Sequence, residues 1–75
     1  MTANAAAVTK LLKRYNFSKA SFATRQVSKT AWVYLEDSIA YDSSLYARMI
    51  EVIAIAGYSV EPSGRKVLKV AKVGA

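Results

Sequence analysis

Lys29-Thr30-Ala31-Trp32-Val33-Tyr34-Leu35-Glu36 decides how this chain is read. Ala31, Val33 and Leu35 alternate with Thr30, Trp32 and Tyr34, the period-two pattern of a strand whose side chains point to opposite faces. One face of the resulting sheet must be aromatic. The surrounding segment, 17–41, is rich in β-branched and aromatic residues and holds neither Pro nor Gly, which favours strands. A strand between about Phe22 and Val27 pairs with the first, with its phase left open. Ser38 to Tyr41 either extends the sheet or leads into a helix.

Toward the N-terminus, Thr2-Ala3-Asn4 supplies N-cap oxygens for a helix over Ala5 to Tyr15. At 100° per residue Val8, Leu11, Leu12 and Tyr15 share one side, with Lys10, Lys13 and Arg14 opposite. Asn16 fits the left-handed residue after the helix, and Phe17 returns to the core. Toward the C-terminus, Asp42-Ser43-Ser44 is an N-cap cluster for a helix over Leu45 to Ala56, which Gly57 stops. Tyr58 to Glu61 reads as a short strand, Pro62-Ser63-Gly64 as a turn and Arg65 to Val73 as the returning strand. The order α-β-β-α-β-β predicts one α+β domain over residues 1–75, an antiparallel sheet packed against two helices. The strand order within that sheet stays open.

Composition narrows the function. With 75 residues the chain can build only one small core. An apolar fraction of 53% argues for packing, and for some apolar surface left over to face a partner. Eleven Lys and Arg against five Asp and Glu give +6, a balance suited to polyanions or acidic protein surfaces. The start, Met1 to Val8, lacks the basic region of a secretory signal. The longest apolar stretch, Met49 to Gly57, is interrupted by Glu51 and falls short of the roughly 20 residues a bilayer span needs. A cytoplasmic protein with no membrane partner is expected.

The sequence has no His and no Cys. Without them it lacks the usual general base near neutral pH, the thiolate nucleophile and the common transition-metal ligands. The adjacent acids Glu36-Asp37 point to opposite faces of a strand end, and the three glycines form no phosphate loop. The chain is therefore read as non-enzymatic, with no cofactor and no metal.

Two surfaces are candidates for binding. On the second long helix the side opposite Leu45, Met49, Val52, Ile53 and Ala56, with Tyr46 and Ile50 at its margins, holds Ala47, Arg48, Glu51, Ala54 and Ile55. Ile55 there lies between two charged residues that could pair at i,i+3. This is a flat, small-residue strip on which another protein, or a second copy, could lie. The basic residues supply the other candidate: Lys10, Lys13 and Arg14 on the first helix, Arg25 and Lys29 on the first hairpin, and Arg65, Lys66, Lys69 and Lys72 on the last strand. If they converge they make a phosphate-tracking surface on which Trp32 or Tyr34 could stack on bases. Otherwise each stripe is the wet side of its own element, and Trp32 and Tyr34 cover the core.

Leu11-Leu12-Lys13-Arg14-Tyr15-Asn16-Phe17, followed by a hairpin and by Leu45 to Gly57, resembles the HicA-type mRNA-cleaving toxins. Those toxins use a histidine after a Gly-Ser pair, and this chain has neither, so the resemblance implies a double-stranded-RNA-binding-like fold without the nuclease. Asn16-Phe17, Thr24-Arg25, Trp32 and Ala56-Gly57-Tyr58-Ser59-Val60, in that order, resemble short accessory proteins of bacteriophages, especially of actinobacterial hosts. That resemblance implies action in the host cytoplasm. The leading expectation is a binding protein that inhibits or modulates a host macromolecule, for instance a defence complex, or joins a larger assembly. The alternative is a DNA- or RNA-binding module that uses the Lys/Arg stripes and exposed aromatics.

Overall fold

Asn4 starts the first helix, α1 (Ala5–Arg14): its side-chain oxygen accepts from the amides of Ala6 and Ala7 at 2.9 and 3.1 Å. The computed structural model describes residues 3–72. Val8 and Leu12 are fully buried and Leu11 is half-buried, whereas Tyr15, expected inside, is 42% exposed. Tyr15 is the C-cap residue, where the backbone has already left the helical path (φ −96°, ψ 24°), so the helical angle no longer places its side chain. Asn16 takes the left-handed conformation (φ 69°) and Phe17 turns into the core.

A single 3₁₀ turn, Lys19–Ser21, leads into β1 (Phe22–Val27), and β2 (Thr30–Leu35) returns beside it through the turn at Ser28 and Lys29. Ser28 has φ 54°. The Gln26 side chain ties this hairpin to the start of α1. It accepts from the Ala5 amide at 2.7 Å, and its Nε2 donates to the carbonyls of Ala3, Ser28 and Thr30.

Ser38 to Tyr41 does not extend the sheet. Asp37–Ala40 form one short helix, α2, which buries Ile39 and Ala40. Asp42 then caps α3 (Ser43–Ile55) by accepting from the Leu45 amide at 3.0 Å. Met49, Val52 and Ile53 are buried and Tyr46 and Ile50 half-buried, as the periodicity requires. Leu45 and Ala56, assigned to the same side, are exposed because they lie at the two ends of α3, beyond its buried middle. Gly57, at φ 97°, turns the chain into β3 (Tyr58–Pro62), and β4 (Val67–Lys72) completes the hairpin. Arg65 and Lys66, expected at the start of the last strand, belong to this turn, and Val73 lies outside the described residues.

The sheet is antiparallel throughout, in the order β1-β2-β4-β3. The fold is α+β, with α1 and α3 on one face. Phe22, Ala31, Val33, Leu35, Leu68 and Val70 meet the helices there, and among the described residues no polar or charged side chain is buried. Among the described residues the opposite face carries no helix.

Candidate binding surfaces

The uncovered sheet face follows from alternation and register. Its central row runs Arg25 (β1), Trp32 (β2), Lys69 (β4), Glu61 (β3), each opposite the next across a strand pair. On one side of this row lie Ala23, Tyr34 and Val67; on the other lie Val27, Thr30, Ala71 and Ser59. None of these residues is buried, and Tyr34 and Val27 are 39% and 44% exposed. Trp32 and Tyr34 therefore do not cover the core. They face outward while the smaller Ala31, Val33 and Leu35 fill the interior.

The cations do not converge on one face but divide among several places. Arg25 and Lys69 share the open face with Glu61, and Lys29 sits at the tip of the first hairpin. Lys66, Lys69 and Lys72 are three apart, a spacing that on a strand alternates sides. Lys69 accordingly joins the open face and Lys72 the helix side, where its Nζ lies 4.6 Å from the centre of the Tyr58 ring. Tyr58 in turn lines a shallow groove of about 260 Å³ with Lys10, Leu11 and Arg14 of α1. Lys13 is exposed on the same helix.

Arg65 and Lys66 meet at a third place, the corner between α2 and the last turn. Arg65 lies 5.0 Å and Lys66 5.9 Å from the centre of the Tyr41 ring, which is 62% exposed. Lys66 also pairs with Asp37, and this hydrogen-bonded carboxylate holds the ammonium above its ordinary pKa of 10.5. A cleft of about 570 Å³ opens beside it, lined by Ala40, Tyr41, Ser43, Tyr46 and Arg65. Asp37 pairs with Lys66 and Glu36 also acts on its charge, so two acids offset the two cations of this corner.

The outer face of α3 is laid out as its periodicity predicts. Ala47, Arg48, Glu51, Ala54 and Ile55 are all exposed, Ile55 at 74%. Among the described residues the single ion pair is Lys66–Asp37, so Arg48 and Glu51 do not pair with each other. Sequence reasoning missed the Tyr41 corner. Its signal was the order Tyr41-Asp42-Ser43, an aromatic immediately before a helix cap.

Among the described residues no group of three metal-ligating side chains comes together, and no helix is long and apolar enough to cross a membrane. No family model, curated protein or solved structure matches this chain.

Proposed function

We propose that this chain is a small non-enzymatic binding protein whose target is another protein, held against the outer face of α3. One observation carries the reading: Ile55, 74% exposed, stands among Ala47, Ala54, Arg48 and Glu51 with no other element over it. Short side chains lose little freedom when a partner orders them, and an isoleucine that becomes fully buried contributes about 1.5–3 kcal/mol. Unpaired charges of both signs around an apolar centre suit a protein surface better than a uniformly anionic backbone. The missing His and Cys support a role without catalysis. An accessory role, in which binding inhibits or modulates a host macromolecule, agrees with the likeness to short phage proteins.

The test is a capture experiment on lysate with and without nuclease treatment, with the wild type and Ile55→Glu side by side. A protein retained by the wild type and lost with the variant supports the reading. Loss of all captured material on nuclease treatment, or equal retention by both forms, overturns it.

A second reading, binding to single-stranded nucleic acid, is favoured by the placement of Trp32 between Arg25 and Lys69 on an uncovered sheet. Aromatic residues on such a platform stack on bases while the cations follow the phosphates. Glu61 at the end of the row and the scatter of the other cations weigh against it. It requires quenching of Trp32 fluorescence by an oligonucleotide, with an affinity that falls steeply as salt rises.

A further inference from the structure

The uncovered face of the sheet is patterned to fit itself, and we infer that it binds the same face of a second copy of this chain. The central row has Arg25 at one end and Glu61 at the other, with Trp32 and Lys69 between them. Lay two such faces against each other around a two-fold axis parallel to the strands and passing between β2 and β4. Each β1 then lies over β3 of the other copy, and each β2 over its β4.

Arg25 meets Glu61 of the second copy, and Trp32 meets its Lys69, each contact occurring twice as a two-fold interface demands. The first contact is an ion pair and the second sets an ammonium on an indole. In the neighbouring row Tyr34 meets Val67 of the second copy, an apolar contact. The same symmetry about an axis perpendicular to the strands would place every strand over its own equivalent. Arg25 would then face Arg25, Lys69 would face Lys69 and Glu61 would face Glu61. The charges therefore select one arrangement of the two.

Within one copy Arg25 and Glu61 are too far apart to pair. They sit on opposite edge strands, three strand spacings apart, which at about 4.8 Å each is roughly 14 Å. Between copies Arg25 gains an acidic neighbour that it lacks within one, while Glu61, which faces Lys69 in its own sheet, gains a second cation. The face is small: four strands at that spacing and about six residues of length give a footprint near 19 by 20 Å. Two such footprints together cover about 760 Å², less than stable complexes bury, so a weak, transient dimer that forms only at high protein concentration is expected. Stacking sheet on sheet leaves the α3 faces pointing outward on opposite sides, and the dimer would present the surface proposed above twice. The inference stands apart from that proposal, since it uses a different face and needs no other partner.

Sedimentation equilibrium over a concentration series reaching the millimolar range tests it. The wild type should associate to a dimer, more weakly at high salt. Arg25→Glu and Glu61→Arg, each placing like charges together, should weaken association about tenfold or more. The double variant Arg25→Glu/Glu61→Arg should recover it, because the exchanged charges again face each other. Both residues are exposed, so circular dichroism should show all three variants folded. Trp32→Lys, which sets two ammonium groups together, is a further variant that should dissociate the dimer. A wild type that stays monomeric throughout overturns the inference. So does association indifferent to the single reversals, or a double variant no better than either single one.

Discussion

The two faces of the sheet are built from the same strands and differ in what they ask of each side chain. On the covered face of β2, Ala31, Val33 and Leu35 are no more than 5% exposed. On the other, Thr30, Trp32 and Tyr34 keep part of their surface in solvent. The larger apolar surfaces are on the wet side. Size and hydrophobicity alone do not decide which residues make the interior here; the position of the helix layer does. What the covered face selects is shape, small aliphatics that let α1 and α3 approach, while the open face retains aromatic and charged groups that an interior would not need.

The sharpest way to break this contrast is to truncate neighbours on β2. Leu35→Ala should cost about 2–5 kcal/mol in urea unfolding, because it removes a buried side chain and leaves a cavity. Tyr34→Ala, one residue away on the opposite face, should cost less than about 1 kcal/mol. Equal losses would mean that the open face is also part of the core.

A smaller effect is expected where the helix layer turns back into the sheet. Gly57 holds φ 97°, and a methyl group there would come no closer than 3.8 Å to the Lys72 Nζ, an ordinary contact. Gly57→Ala should therefore cost about 1 kcal/mol through backbone strain and not crowding. An unchanged melting temperature would show that this turn relaxes freely and does not set the position of the helix layer.

On the outside of that layer, Ile55→Glu should leave stability within about 0.5 kcal/mol of the wild type, since the side chain is mostly in solvent. Unfolding of this variant would place Ile55 in the core and overturn the assignment of α3's outer face. The smallest effect belongs to Lys66. Its pKa is raised in the folded state by Asp37, so its contribution is present below the ordinary 10.5 and fades as pH climbs through the higher folded value. The wild type should lose slightly more stability than Lys66→Met over that alkaline range. Identical profiles would show the exposed pair to be inert.

Much of the architecture was legible because it is written locally. The alternation around Trp32, the Asp42 cap, the glycine after α3 and the left-handed Asn16 each act within a few residues. The helical wheels failed only at Tyr15, Leu45 and Ala56, all at helix ends, where extrapolating 100° per residue outruns the packed layer. Ser38 to Tyr41 was ambiguous because the helix that forms there, Asp37–Ala40, has four residues, too few to display a period. The strand order was not legible. Turns specify the two hairpins, but the pairing of β2 with β4 joins segments more than thirty residues apart and depends on how the helices pack. The candidate surfaces divide along the same line. The α3 strip is what remains of a helix once its buried side is assigned, so the wheel located it. The neighbours of Trp32 are a product of strand order, and only the assembled sheet places Lys69 and Glu61 in its row.

Gln26 carries a consequence for how the molecule opens. Its one amide group holds the first turn of α1 and both ends of the β1–β2 turn, bonding at Ala3, Ala5, Ser28 and Thr30. Helix ends ordinarily fray on their own, ahead of any strand. Here the helix start cannot peel away without releasing the hairpin tip. Their amide protons should accordingly exchange with solvent deuterium as one set, the Ala5 N–H slowed to the pace of the hairpin turn.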